Sequence, residues 1–522
     1  MLAIGGRKTL WPPTNSIIEG QRDMMATKHP KPDWNKRARD LTWDGQALIH
    51  GQKIEASKEI EIFSPVDGRY LYNSGLCDSA MIDRAVRSSR SAFESGSWSG
   101  ISPQARASKL LRLAELIVRD HEELALRDTL EMGKPIGIAL SEVAGLAPVL
   151  CRYYAECADK IYGEVPGSDG GSIAFSLREP RGVVAAIAPW NYPLANAIIK
   201  SLPALAAGNC VVLKPSEMTP GSALRFGELA LEAGLPEGVL NVLPGDGVET
   251  GASLVSHADI DMVTFTGSTA TGRAIMALAP SRHIRPVMLE CGGKSPQIVF
   301  ADAPDATDLA PHILDEILTN QGQLCVARSR LLVHRSRKEE LLHELAKLAR
   351  EYVVGDALDV DTRFGPLAGT TQRNRVMSYI SSAQQAGAHM VVGGRSDRHC
   401  GVLPTVLDEV SDDMPVVKEE VFGPVLTVQT FSTVDDAIRL ANSSRYGLAA
   451  TIWSAHYPVI HAMVRRLKCG HVTVRSTTEA FEGPGLALAG EPHRDSGFGG
   501  ETGLDSLRNY TTVKGIILAG GL

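Results

Sequence analysis

The stretch Gly182-Val183-Val184-Ala185-Ala186-Ile187-Ala188 decides the fold. It is a short apolar run with no polar face, as a strand covered on both sides requires. Outward from it, a helical stretch follows Pro193, then comes Cys210-Val211-Val212-Leu213, then a helix after Pro220. Val239-Leu240-Asn241-Val242-Leu243 and Met262-Val263-Thr264-Phe265 continue the alternation, separated by Gly-rich turns and helical stretches. Strand and helix at this spacing predict an α/β fold with a parallel, doubly wound sheet whose ligands bind beyond the carboxyl ends of the strands. After Gly292 a second α/β unit runs to about Gly490, including Pro296-Gln297-Ile298-Val299-Phe300 and a helix from Lys338 to Tyr352. Upstream, Ser102-Pro103 supplies an N-cap and first-turn proline for a helix carrying Leu110, Leu113 and Ile117, which Gly133-Lys134-Pro135 stops.

A chain of 522 residues exceeds a usual single core, and 44% hydrophobic with 22% charged residues is a globular balance. The net charge of -7, spread along the chain, leaves no footprint for nucleic acid or an anionic membrane surface. No uninterrupted apolar run approaches bilayer length. The eight cysteines are scattered with no Cys-x-x-Cys pair, which favours neither a metal site nor a disulfide framework. Free thiols point to a reducing, cytoplasmic setting. Residues 1–42, with Trp11-Pro12-Pro13 and Lys28-His29-Pro30-Lys31-Pro32, are expected to form a loosely ordered extension. Met24-Met25 offers a second translation start.

Several short segments lie where the sheets should present chemistry. In Ala188-Pro189-Trp190-Asn191-Tyr192-Pro193, the Asn191 amide suits a developing oxyanion, although an Asn beside Pro more often satisfies a local turn. Lys214-Pro215-Ser216-Glu217 ends the second strand, where an acid can bind a ribose diol and repel a 2′-phosphate; a solvated ion pair is the competing reading. Gly267-Ser268-Thr269-Ala270-Thr271-Gly272 opens a helix whose N–H groups suit a pyrophosphate, or Ser268 simply caps it. Gly245-Asp246-Gly247 does not complete a Gly-x-Gly-x-x-Gly fingerprint. Glu290, in Leu289-Glu290-Cys291-Gly292-Gly293-Lys294, and Cys325, in Asn320-Gln321-Gly322-Gln323-Leu324-Cys325, form a candidate base and nucleophile for covalent catalysis. Taken alone, each has a plainer reading as a solvated acid or a small core thiol. Glu419-Glu420-Val421-Phe422-Gly423-Pro424 reads as a surface acid pair before a turn.

In order and spacing, from about Leu48 onward, these segments resemble the aldehyde dehydrogenase superfamily. The resemblance implies Cys325 as nucleophile, Glu290 as general base, Asn191 as oxyanion amide, and Lys200 with Glu501 as a proton path. It implies NAD as cofactor, with contacts at Ile187, Trp190, Lys214, Glu217, Gly247, Gly267, Ser268, Glu420 and Phe422. Substrate contacts are implied at Tyr192, Ala195, Asn196 and Leu324. The implied reaction oxidises an aldehyde to the carboxylic acid through a thiohemiacetal and a hydrolysed thioester. Tyr162-Gly163-Glu164-Val165, Arg178-Glu179-Pro180-Arg181-Gly182 and 415–425 are similar to bacterial enzymes acting on γ-glutamyl-aminobutyraldehyde and related aminoaldehydes. The implied layout is a cofactor domain over 43–158 and 180–291, a catalytic domain over 292–490, and an oligomerisation arm formed by a hairpin in 159–179 with a tail strand over 507–518. A homodimer or homotetramer follows from such an arm.

The pattern breaks near the end. Val474 is followed by Arg475 where the family has Asn, and Ala487 to Gly497 lacks the family's Phe and Lys. Leu367 stands where many relatives carry Gln. The substrate is therefore open. Two other readings stay open as well: a cofactor-independent thioesterase or esterase built on Cys325 and Glu290, and a non-catalytic binding or structural relative.

Overall fold

Strand Val183–Ile187 is buried at every position. In this computed structural model, which describes residues 32–167, 171–281, 283–480 and 485–519, the reason is visible in two apolar clusters. Val184 and Ala186 enter the core on one face of the sheet, while Val183, Ala185 and Ile187 enter the core on the other. Each fully buried Val or Ile contributes ~1.5–3 kcal/mol, so a strand with two covered faces has no place for polar alternation. Val183–Ile187 pairs in parallel with Cys210–Lys214 and Met262–Thr266. Leu240–Val242 and Val287–Glu290 add on the outside, also parallel. Numbered by position along the chain, the five strands run 3-2-1-4-5, and the order reverses between Val183–Ile187 and Met262–Thr266. Antiparallel strands close both edges: Ala47–Ile49 with Gln52–Ile54 at one, the two-residue Gly497–Phe498 at the other.

The second sheet repeats this plan. Val425–Phe431, Arg330–His334, Pro296–Val299, Ala449–Trp453 and His471–Arg475 are parallel neighbours in that order, again 3-2-1-4-5. Thr405–Asp408 and His389–Val392 extend one edge. Helices Ala306–Leu318 and Lys338–Ala349 pack one face, the latter ending before Tyr352. The doubly wound α/β class expected from the apolar runs is thus present twice.

Three expectations need correction. Residues 32–42 are not a loose extension: Trp34–Asp40 is a helix capped by Asp33, whose carboxylate accepts from Lys36 N at 2.9 Å. Trp34 and Ala38 are buried in the first core, and Arg37 lies over the Trp34 ring. The preceding prolines obscured a four-residue cap signature; residues 1–31 lie outside the described residues. The tail strand begins at Thr511, not Leu507, because Asp505–Asn509 is helical and Leu507 points into the first core. Finally, residues 168–170, between the arms of the expected hairpin, lie outside the described residues, and among the described ones it shows one regular strand, Ser172–Pro180. It pairs antiparallel with Thr511–Ala519 along its whole length, while Glu164 reaches it through a single backbone bond, Ser176 N to Glu164 O at 2.8 Å.

Helix Pro103–Arg119 starts at the expected Ser102 cap, and a second helix, His121–Met132, runs to a left-handed Gly133. Among the described residues, the helical stretch Ile136–Cys157 is long and apolar enough to cross a bilayer by length and composition. It is interrupted by Glu142, which opens a π-helical turn, and Leu150, Cys151, Tyr154 and Ala155 are core residues.

Candidate active site

Cys325 lies between helix Ala306–Leu318 and strand Arg330–His334, where the chain turns through three successive left-handed residues: Asn320 (φ 51°), Gln321 (φ 57°) and Gly322 (φ 73°). A non-glycine residue there costs roughly 1–2 kcal/mol. At Gly322 a side chain would also come within 2.3 Å of the Gly423 carbonyl. Buried amides hold the loop in place. Asn320 Nδ2 donates to the carbonyls of Asn191 (3.0 Å) and Gln323 (3.1 Å), and Asn191 Nδ2 donates to Gln323 O at 3.0 Å. Gln323 Oε1 in turn accepts from Ala368 N at 2.9 Å. Asn191 is therefore tied to the backbone two residues before Cys325. The turn role that competed for Asn191 is only half of what it does, because its amide reaches across to the other sheet.

The thiol of Cys325 is pushed up to about 12 by burial, with the carboxylates of Glu420, Glu290 and Glu501 adding to the shift and a backbone bond at Val326 opposing it. At neutral pH it rests as the thiol and needs a base. Glu290 ends strand Val287–Glu290, and its carbonyl accepts from Gly267 N at 3.0 Å. The next residue is gripped by the tail: Cys291 N donates to Ser496 O at 2.8 Å, and Ser496 Oγ donates to Gly292 O at 2.8 Å. Burial holds the Glu290 carboxyl well above the ordinary range; the charge of Glu501 adds to this and that of Lys200 opposes it. Lys200, fully buried, forms an ion pair with Glu501. Thr266 Oγ1 donates to the same carboxylate at 3.3 Å, and Tyr154 OH donates to the Glu501 carbonyl at 2.5 Å.

The cofactor-side residues gather at the carboxyl ends of the first sheet. Lys214 is buried, bonds Pro215 O at 2.9 Å and stands 3.7 Å from the exposed Glu217, so the pair is not simply solvated. Ser268 does cap helix Thr269–Leu278, accepting from Thr271 N at 3.1 Å. A side chain at Gly267 would strike the Phe265 ring at 2.5 Å, so only glycine fits there, whereas one at Gly247 would meet nothing within 4 Å and leaves that backbone open. Ile187 is the buried last residue of its strand. Trp190 and Phe422 pack edge to face at 5.2 Å, joining the two sheets. Phe422 has φ 58°, and Gln372 Nε2 donates to its carbonyl at 2.6 Å. Glu420 is turned toward the base, its Oε1 accepting from Gly293 N at 3.0 Å; a side chain at Gly292 would overlap it at 2.2 Å. Burial raises the Glu420 carboxyl to about 7, against the Gly293 bond and the charges of Arg375 and Lys294. These residues fit a dinucleotide: acids for two ribose diols, a buried ammonium, and an open helix start for a pyrophosphate.

On the other side, Tyr192 and Ala195 lie on or before helix Pro193–Ala206, and Leu324 is half-buried against the second core. Asn196 is buried and donates to Tyr192 O at 3.0 Å, so its amide serves the helix and not an open funnel. Sequence reasoning missed what stands over Tyr192. The Lys134 ammonium lies 3.8 Å from the ring centre, fully buried and ion-paired with Glu142. Burial raises the Glu142 carboxyl, with Lys134 opposing, and pushes buried Asp128 up to about 7. In sequence Lys134 signals only a helix stop, and Glu142 follows no periodic pattern. The amides of Asn320 and Gln323 lie in the Cys325 segment with nothing in the sequence to mark their role. In the atypical tail, Arg475 is buried over the Trp453 ring at 4.6 Å and donates to Glu479 O at 2.9 Å.

Residues 53–516 match the model of the aldehyde dehydrogenase family. The chain is 40% identical over 486 residues to "NADP/NAD-dependent aldehyde dehydrogenase PuuC" of Escherichia coli, covering 92% of this chain and 97% of that protein. The crystal structure of an indole-3-acetaldehyde dehydrogenase with NAD+ superposes with a TM-score of 0.90 at 42% identity, covering 93% of this chain and 99% of that one. A γ-glutamyl-γ-aminobutyraldehyde dehydrogenase from Burkholderia cenocepacia gives the same TM-score and coverage at 41% identity.

Proposed function

The chain belongs to the aldehyde dehydrogenase family, and from that premise we propose that it oxidises an aldehyde to the carboxylic acid with NAD, using Cys325 as nucleophile. One observation carries the residue assignment. The Asn191 amide is bonded into the Cys325 loop while the Glu290 carboxylate is near enough to hold up the thiol.

Glu290 takes the thiol proton, and the sulfur adds to the aldehyde carbonyl. The Asn191 amide and the Cys325 N–H stabilise the resulting oxyanion. A bound nicotinamide would supply the acceptor for the hydride that the tetrahedral adduct expels. Lys214 and Glu217 would hold one ribose, Glu420 the other, and Gly267 and Ser268 the pyrophosphate, with Trp190 and Phe422 beside them. With the hydride gone, a thioester remains on Cys325. Glu290 hands its proton to the Lys200–Glu501 pair, which passes it on to solvent, and then activates water to cleave the thioester. Glu217 favours NAD over NADP by repelling a 2′-phosphate. An esterase working without cofactor would leave this whole carboxyl-end constellation without a role.

Within the substrate class we favour an aminoaldehyde. Lys134 stands over the Tyr192 ring, paired with Glu142 and within reach of the charge of buried Asp128, and this surplus of carboxyl groups beside Tyr192 suits a cationic tail. Strands Ser172–Pro180 and Thr511–Ala519 carry exposed Ile173, Leu177, Val513, Ile517 and Leu518, which supports a homodimer or homotetramer built on that arm. A cytoplasmic location fits the eight unpaired cysteines. The test is initial NADH formation across aminoaldehydes, straight-chain and aromatic aldehydes, with NAD and with NADP. We expect aminoaldehydes to rank first by kcat/KM and all turnover to vanish in Cys325→Ala. Equal rates for apolar aldehydes would refute the aminoaldehyde assignment alone.

A further inference from the structure

The second sheet has the strand order of the first, and therefore its own reversal point, between Pro296–Val299 and Ala449–Trp453. In open parallel sheets the crevice beyond the carboxyl ends at such a point is where ligands bind. The chemistry described above occupies the other end of this sheet. A crevice of about 600 Å³ nevertheless opens at the carboxyl ends of Pro296–Val299, Arg330–His334, Val425–Phe431 and Ala449–Trp453, within the size range of small-molecule sites.

We propose that this crevice is a second small-molecule site, taking an uncharged heteroaromatic compound of nucleoside size. Its floor is aromatic: Phe300 and Phe431, both buried, meet edge to face at 5.0 Å, and the His334 ring packs against Phe431 at 5.7 Å. Flat rings are held well by such edges and faces. One wall offers donors. Helix Tyr457–Arg466 begins there with no side chain capping it; Pro458 has no N–H to offer, but that of Val459, which lines the crevice, can meet a ligand carbonyl or hydroxyl. Asp302 does not compete for that role. Its carboxylate already accepts from Ser454 Oγ and from the N–H groups of Ala455 and His456, at 2.8–3.1 Å.

Charge excludes a phosphate. No Lys or Arg lines the crevice, in contrast to Lys214 at the equivalent end of the first sheet. The nearby Arg337 is committed to the carbonyls of Ala303 and Pro304 and to Glu340. The helix start on the other wall, after Thr433, carries Asp435 and Asp436 in its first turn. Asp435 is paired with Arg466 at 2.7 Å, so it is the Asp436 carboxylate that an anion would meet without a cation of its own.

The test uses the full-length enzyme saturated with NAD, so that the cofactor site is filled. Adenosine, guanosine and adenosine monophosphate are titrated by calorimetry, with saturation-transfer NMR reading the ring protons. Ala455→Trp and Ser432→Trp, at two exposed lining positions, plug the crevice far from Cys325. We expect a nucleoside to bind, the monophosphate to bind more weakly, and nucleoside affinity to fall at least ~10-fold in a plugged variant whose NADH formation is unchanged. Failure of both nucleosides to bind, binding indifferent to both plugs, or tighter binding of the monophosphate would each overturn the assignment. None of these outcomes bears on the aldehyde reaction.

Discussion

In the first sheet the functional residues leave the strands at their carboxyl ends: Asn191 after Val183–Ile187, Lys214 and Glu217 at Cys210–Lys214, Gly267 and Ser268 after Met262–Thr266. In the second they precede the strands: Cys325 comes before Arg330–His334, Gly292 and Gly293 before Pro296–Val299, and Glu420 with Phe422 before Val425–Phe431. The two sheets share one strand order and meet with opposite ends. The difference has an electrostatic consequence. Carboxyl ends of parallel strands adjoin helix N-termini, which welcome anionic and hydrogen-bonding ligands such as a dinucleotide. Cys325 instead follows the carboxyl end of helix Ala306–Leu318, the negative end of its dipole, among three carboxylates. A cysteine at a helix N-terminus is ionised by its surroundings; this one is held protonated, so proton removal has to be supplied chemically.

The comparison can be broken most decisively at the amino-end residues. Cys325→Ala should lower NADH formation by at least roughly 10⁴-fold while NAD binding, read by calorimetry, persists. Glu290→Gln should cost about 10²–10⁴ in steady-state rate. If its main burden is thioester hydrolysis, a stopped-flow burst of NADH should survive; loss of burst and steady state in equal measure would place the requirement in thiol deprotonation. Asn191→Ala should lower kcat about 10²–10³-fold with little change in KM for NAD. The pH profile sharpens the same point. Because Glu290 is shifted upward and must be ionised to act, the rate should climb with pH at values above the ordinary carboxylate range. Lys200→Met removes the cation that opposes this shift, so the climb should move to higher pH; a move to lower pH would contradict the arrangement. The smallest effect is expected at the carboxyl ends: Glu217→Gln should raise KM for NAD roughly tenfold and narrow the preference over NADP, leaving kcat in place.

The first sheet was legible because its central strand, Val183–Ile187, is a fully apolar run and its parallel neighbours depart from one only at single positions such as Asn241 and at their ends. Cys325, Glu290 and Asn191 were legible as chemistry but not as geometry. Nothing in Asn320-Gln321-Gly322 announces three left-handed residues in a row, since only Gly322 advertises that conformation and the other two are held there by distant amides. Strand Gly497–Phe498 is too short to carry a period, and it exists because Glu290 and Leu289 offer it an edge. The same holds for Lys134 over Tyr192: a helix stop and a turn residue meet only after the chain has folded.

The grip of the tail on the base has a consequence for biosynthesis. Cys325 and Glu290 are translated well before Ser496 and Gly497, which hold the base strand and the residues after it, and before Glu501, which pairs with Lys200. A ribosome-bound chain can therefore display a folded first sheet, a cofactor cradle and the cysteine while it still has no working base. Turnover of aldehydes is thus withheld until translation has passed the tail.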